Sequence, residues 1–105
     1  MIKLSKPKKG EIRFLTWLDH SKQVYYIIRV KMSKIGKRWY KGICEKQILG
    51  YHDPEFAPGV ESGEYFYFCF LETEEDARRM LILGALDTRE VSLFFRNDPD
   101  LEELR

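Results

Sequence analysis

The chain has 105 residues, of which 44% are hydrophobic, 14% aromatic and 33% charged, and its formal net charge is only +1. This length favours a single domain with one core, and the composition is typical of a folded protein rather than a disordered one. The sequence contains no apolar run of membrane-spanning length and no signal-peptide pattern. We therefore expect a cytoplasmic protein without membrane contact.

The charges are divided unevenly along the chain. Residues 1–46 contain all ten lysines, three arginines and three acidic residues, for a net charge of +10 (13 − 3). Residues 47–105 contain five arginines and fourteen acidic residues, for a net charge of −9 (5 − 14). Such asymmetry indicates a polyanionic partner, but it also permits the two halves to neutralise each other within the fold or across a dimer.

The first half predicts a basic, flexible arm at residues 1–10 and then a three-stranded meander. Strands are predicted at Glu11–Leu18, Gln23–Met32 and Arg38–Ile43, because apolar and polar side chains alternate along them and short turn-like segments separate them. Residues 45–50 are interpreted as a single helical turn within a long loop at 44–63.

The second half predicts a strand, a helix and a last strand. Glu64–Leu71 (EYFYFCFL) is apolar on both faces, which indicates a covered strand. Thr73–Leu86 is predicted to be a helix, with Thr73 as its N-cap and acidic residues in its first turn. Glu90–Phe95 is predicted to be the last strand. We therefore expect residues 11–105 to form one α+β domain, with an antiparallel or mixed sheet of about five strands and one main helix packed on one face.

The basic half presents cations and aromatic rings on what we expect to be the solvent side of its strands. Cations attract phosphates and exposed rings stack with unpaired bases, so this pattern is typical of nucleic-acid-binding sheets. On the third strand, alternation leaves open whether Arg38 and Tyr40 or Trp39 and Lys41 face outwards. The predicted binding residues are Arg13, Trp17, Tyr25, Arg29, Lys31, Lys34, Lys37, Arg38, Tyr40 and Lys41.

We therefore expect a small nucleic-acid-binding module, with both DNA and RNA open as ligands. The alternative is a protein-interaction or inhibitor module, in which oppositely charged faces contact an acidic protein partner or a second copy in a homodimer. A purely structural explanation also exists, because basic side chains on edge strands prevent strand-to-strand aggregation.

Part of the acidic half resembles an RNA-recognition motif. In that family a strand with alternating aromatic residues precedes a helix, and Gly63–Phe70 (GEYFYFCF) followed by LETEEDARRMLILG has that order. The resemblance implies that Tyr65 and Tyr67 stack with bases, whereas burial in the sheet core is the alternative for both rings. Gly63 and Glu64 depart from the family's octamer, and the preceding strand meander departs from its strand–helix–strand order. We therefore assign no family.

The sequence supports neither an enzymatic activity nor a cofactor or metal. His20 stands in a polar turn without a triad arrangement, and His52 has no second ligand cluster at a metal-site spacing. The glycines form no phosphate-binding loop. Cys44 and Cys69 are isolated from each other and are predicted to be free thiols.

Overall fold

The computed structural model of the protein describes residues 2–19, 21 and 24–86. These residues form an open antiparallel sheet and one α-helix, which confirms the α+β prediction. The strand predicted at Glu90–Phe95 lies outside the described residues. The elements are β1 (Ile12–Asp19), β2 (Val24–Ile35), β3 (Tyr40–Leu49), β4 (Phe70–Leu71) and α1 (Glu74–Leu86), with 3₁₀-helical turns at Pro54–Phe56 and Tyr67–Cys69.

The strands lie in the order β3-β2-β1-β4. β1 and β2 pair in one continuous register, whereas the pairing of β2 with β3 shifts at three places. The predicted helical turn at residues 45–50 is wrong, because β3 continues to Leu49 and Gln47 pairs with Ile28. β2 is 12 residues long, and its edge therefore offers backbone hydrogen-bonding groups to residues 45–49, so that β3 stays paired as far as Leu49.

Each face of the sheet carries a hydrophobic cluster. Side chains that alternate along β2 point to opposite faces of the sheet. One face of this central strand is apolar from Val24 to Met32, whereas the other is apolar at Tyr25 and Ile27 and then carries the exposed Arg29 and Lys31. The first cluster includes Leu15, Tyr26, Ile28, Val30, Met32, Tyr40, Cys44, Phe56 and Phe70. The second includes Ile27 and Leu71 together with Ala77 and Leu81 of α1, so the helix packs on one face as predicted.

The amino-terminal segment is part of the second cluster. Ile2 and Leu4 are buried there, and the Gly10 amide donates a hydrogen bond to the Met32 carbonyl at 2.8 Å. The prediction of a flexible arm at residues 1–10 rested on its lysines, Pro7 and Gly10. Its apolar side chains Ile2 and Leu4 pack in the same cluster as residues of α1 and β4, because burial removes their apolar surface from water.

The long loop covers the outer edge of β3 rather than projecting from the sheet. The Ser62 amide donates to the Gly42 carbonyl at 2.7 Å, and Tyr65 and Tyr40 exchange backbone hydrogen bonds at 2.9 and 3.0 Å. A Cβ atom on Gly42 would lie 2.7 Å from a methyl group of Val30, so a glycine is needed where β3 crosses this side chain. The acidic loop is thereby fixed against the basic hairpin.

The covered strand predicted at Glu64–Leu71 is mostly absent. Only Phe70 and Leu71 pair with β1, because the preceding Tyr67–Cys69 segment forms a 3₁₀-helical turn in which the Phe70 amide donates to the Tyr67 carbonyl. The turn removes the alternation of a strand. As a result, two aromatic side chains of this apolar segment, Phe66 and Phe68, reach the surface.

Arg13 connects three separate parts of the chain beneath the surface. Its side chain is 3% exposed, and its guanidinium donates to a carboxylate oxygen of Glu11 at 2.5 Å, to the Phe70 carbonyl at 3.1 Å and to the Ser5 carbonyl at 3.2 Å. Glu72 lies 3.8 Å from it and also accepts a hydrogen bond from the Ser5 hydroxyl. The guanidinium therefore holds the amino-terminal segment, β1 and β4 together.

The environment of Glu11 makes the interaction between Glu11 and Arg13 dependent on pH. Partial burial acts to raise the pKa of Glu11, but hydrogen bonds from Arg13 and from the Lys8 amide, together with the charge of Arg13, lower the pKa below its usual 4.5. Because the pKa of Glu11 is lowered in the folded state, its carboxylate stabilises the fold fully at pH values above the ordinary pKa of the group. This stabilisation is lost as the pH falls through the folded-state pKa.

We predict that Arg13→Met lowers the free energy of unfolding by about 1.5–3 kcal/mol, because it leaves the buried Phe70 carbonyl and the partly buried carboxylates of Glu11 and Glu72 without their donor. Urea denaturation followed by circular dichroism measures the change. Arg29→Met is the matched control, since the Arg29–Glu45 pair at 3.1 Å is exposed on both sides. The control should change stability by less than about 1 kcal/mol. Equal effects of the two substitutions would contradict the role assigned to Arg13.

Candidate nucleic-acid interface

The predicted binding residues do not share one face of the sheet. Arg13 is paired with Val30 and Trp17 with Tyr26, so both lie on the face of the first cluster. Alternation shows which residues of one strand share a face of the sheet. Only the register between two strands shows which residues of the neighbouring strand lie on that same face. The predicted residues of β2 lie on the opposite face, and these are Tyr25, Arg29 and Lys31.

Two of the predicted residues, Arg13 and Tyr40, are buried, and a third, Tyr25, is only partly exposed. Arg13 is buried and bound to protein oxygens, Tyr40 is buried in the first cluster, and Tyr25 packs at the edge of the second cluster. Trp17 is exposed, but the edge of its ring contacts Tyr65 with a centroid distance of 5.3 Å. These positions belong to the packing of the sheet.

Three further cations are paired with carboxylates. Besides the Arg29–Glu45 pair, Lys34 lies 3.3 Å from Glu64 and Lys41 lies 3.7 Å from Glu61. Glu61 and Glu64 belong to the loop that covers the edge of β3, so the acidic half neutralises part of the basic half within the fold. This outcome accounts for part of the charge asymmetry without a ligand.

The remaining predicted cations are Lys31, Lys37 and Arg38, which are exposed and have no ion pair among the residues that the structure describes. Lys37 and Arg38 lie in the connection between β2 and β3. Here the Gly36 amide donates to the Trp39 carbonyl at 3.1 Å, and a Cβ atom on Gly36 would lie 2.5 Å from that same oxygen. A glycine is therefore required for this tight connection, which places two cations at the end of the hairpin.

Three exposed aromatic rings are stacked beside this connection. The Trp39 and Phe66 rings are 4.4 Å apart between centroids with an interplanar angle of 30°, and the Phe66 and Phe68 rings are 5.3 Å apart with an angle of 14°. Trp39, Phe66 and Phe68 are 42%, 37% and 40% exposed. We call these three residues the aromatic row. It is unusual because stacked rings of this size are normally buried.

The aromatic row and the neighbouring cations form a surface that can bind an anionic, aromatic ligand. We call it the tip surface, and define it as the aromatic row with Lys34, Lys37 and Arg38. The rings provide faces and edges for stacking, and the cations provide attraction for phosphates. Glu64, which pairs with Lys34, is the carboxylate that a phosphate would have to displace.

Sequence reasoning missed Phe66 and Phe68 as surface residues. A segment that is apolar on both faces predicts a covered strand, and no local signal reveals the 3₁₀-helical turn that exposes these two rings. Tyr65 and Tyr67, to which the resemblance to an RNA-recognition motif gives a base-stacking role, pack partly buried against the first cluster. Burial, with a smaller contribution from the negative charge of Glu55, raises the pKa of Tyr65 to about 12.

Comparison with known proteins assigns no family to the chain. No model of a protein family matches it, and no curated protein or solved structure matches it significantly. In the part of the chain that the structure describes, no helix has the length and apolar character needed to cross a membrane. The function must therefore be argued from the tip surface itself.

The two thiols and the remaining titratable groups form no reactive or metal-binding site within residues 2–19, 21 and 24–86. No group of three or more histidine, cysteine, aspartate or glutamate side chains there is arranged to hold a metal ion. Cys44 and Cys69 are free, and burial raises the pKa of both, in the case of Cys69 to about 12. A raised pKa leaves a thiol protonated and poorly nucleophilic.

We predict that neither thiol of the folded protein reacts readily with Ellman's reagent at pH 8, because each is largely protonated and shielded. In denaturant, where both thiols regain ordinary pKa values, the two should react within the mixing time. The Cys44→Ser and Cys69→Ser variants show which thiol accounts for any residual reaction. Rapid reaction of a thiol in the folded state would contradict the burial described here.

Proposed function

We propose that this protein is a nucleic-acid-binding module and that it binds through the tip surface. The observation that carries the proposal is the exposed, stacked aromatic row, whose Trp39 directly follows Lys37 and Arg38 in the chain. Both cations are exposed and have no ion pair in the described part of the chain. Exposed rings beside unneutralised cations are the combination that nucleic-acid-binding surfaces use for bases and phosphates.

The interface proposed here is smaller than the sheet face predicted from the sequence. Burial removes Arg13 and Tyr40 from it, Tyr25 packs partly buried against the second cluster, and Trp17 lies against Tyr65. If Lys34, Lys37 and Arg38 each contact one phosphate, the slope of log affinity against log salt is about −2 for a single strand. The modest number of contacts favours weak binding that depends on stacking as well as on charge.

We predict that Lys37→Ala with Arg38→Ala makes this salt slope shallower by about 1.4, or about 0.7 for each phosphate contact removed. Fluorescence anisotropy of labelled oligonucleotides across a salt series, starting near 50 mM, measures the slope. Lys46→Ala is the control. Lys46 is also exposed, but it lies opposite Arg29 in the register of β2 and β3, away from the connection between these strands. The salt slope of this variant should equal that of the wild type.

The variant Glu64→Gln tests the same surface by a gain of binding. It removes the carboxylate 3.3 Å from Lys34 and so frees this cation for a phosphate. Affinity should rise, and the slope should become steeper by about 0.7 if Lys34 makes no phosphate contact while it is paired. Absence of oligonucleotide binding by the wild-type protein at low salt would refute the proposed function.

A protein interface is the second candidate function, and Ile35 favours it. This side chain is 41% exposed at the end of β2, and together with the aromatic row it gives the hairpin an exposed apolar surface. Aromatic residues and arginine are enriched in the cores of protein interfaces. The partner would be an acidic protein or a second copy of this chain.

For a homodimer formed through this surface, we predict concentration-dependent sedimentation that Phe66→Ser with Phe68→Ser abolishes. Hydrophobic association persists at high salt, whereas association through oppositely charged faces weakens as salt screens the charges. Analytical ultracentrifugation at low and high salt distinguishes hydrophobic from electrostatic self-association. A monomer at all concentrations and salt levels would exclude the homodimer.

A further inference from the structure

Building on the proposed function, we infer that the ligand is single-stranded and that one unpaired base stacks on Trp39 at the end of the aromatic row. Trp39 and Phe68 both stack with Phe66, which is therefore the middle ring. Phe68 has a second ring neighbour, because Tyr67 contacts it edge-on with a centroid distance of 5.8 Å. Trp39 has Phe66 as its ring neighbour among the described residues and is the most exposed of the row.

The positions of the cations match a base at Trp39 better than a base at Phe68. Lys37 and Arg38 immediately precede Trp39, and the hydrogen bond between Gly36 and Trp39 closes the connection around them. The phosphates on either side of a base stacked on Trp39 would therefore lie within reach of both cations. Phe68 has no cation next to it in the chain, where its adjacent residues are Tyr67 and Cys69.

A duplex does not offer the surface that this arrangement requires. Within a duplex, each base is covered on both faces by its neighbours and its edge is paired, so an indole ring can reach a base face only after unstacking. An unpaired base in a single strand exposes its face at little cost. Stacking also tolerates every base, so we expect weak sequence preference at this position.

The experiment uses the two tryptophans of the chain as separate reporters. Trp17→Phe leaves Trp39 as the emitting residue, and Trp39→Phe leaves Trp17. Each variant is titrated with a short labelled oligothymidylate and with a duplex of the same length. Tryptophan emission reports stacking, and anisotropy of the label reports binding in the same sample. Circular dichroism verifies that each variant is folded.

We predict that the single strand quenches the emission of Trp17→Phe but leaves the emission of Trp39→Phe unchanged. Trp39→Ala should lose about 5- to 100-fold in affinity for the single strand, whereas Trp39→Phe keeps a ring and should lose less. The duplex should bind at least about tenfold more weakly than the single strand, because it cannot provide the stacked base.

The outcomes separate this inference from the proposed function. Binding detected by anisotropy without quenching of Trp39, or with equal affinity for the duplex, would overturn the inference and leave nucleic-acid binding at the tip surface intact. Absence of any anisotropy change would reject the proposed function, and the inference with it. If Trp39→Ala does not fold, the emission of the Trp17→Phe variant still decides between these results.

Discussion

The buried guanidinium of Arg13 is the interaction on which the arrangement of the domain depends. A cation can be buried only where oxygens replace its water. Here Glu11, just before β1, Ser5 of the amino-terminal segment and Phe70 of β4 provide them. The same contacts position Leu71 against the second cluster, next to the start of α1. A residue that looks like a surface cation in the sequence therefore joins the amino-terminal segment to the sheet and lets the helix pack on one face.

The charge asymmetry of the chain is partly neutralised within the fold, because the acidic loop lies along β3. Backbone hydrogen bonds hold Ser62 and Tyr65 to the strand, and this brings Glu61 and Glu64 to the lysines of the hairpin. Exposed pairs of this kind contribute little to stability, but they cancel charge locally. Neutralisation is incomplete at the end of the hairpin, where Lys37 and Arg38 remain unpaired within the described chain. The broad basic face predicted from the sequence is thereby reduced to a small unpaired one.

Strong periodicity made β1, β2 and α1 predictable from the sequence. The extent of β3, the face on which Arg13 lies and the aromatic row were not predicted, because each depends on contacts between residues distant in sequence. β3 extends through polar residues because β2 offers it a long edge, and the face of Arg13 follows from its register opposite Val30. The aromatic row depends on Trp39 meeting Phe66, which is distant in sequence, and on a 3₁₀-helical turn that local propensity does not indicate. Of the ten residues predicted for the site, Lys34, Lys37 and Arg38 belong to the tip surface. Trp39 was left as an open alternative on the third strand, and Phe66 and Phe68 had to come from the structure.

The stacking within the aromatic row explains why exposed rings of this size are compatible with a defined surface. Each ring of the row contacts another ring, so part of its apolar area is buried and its orientation is restricted before any ligand arrives. A ligand that stacks on a ring held in this way loses less affinity to the ordering of protein side chains. The backbone hydrogen bond between Gly36 and Trp39 restricts the backbone that carries the two cations. The hairpin thus holds Trp39 in a fixed orientation beside two exposed cations, whereas the sheet behind it packs its own core.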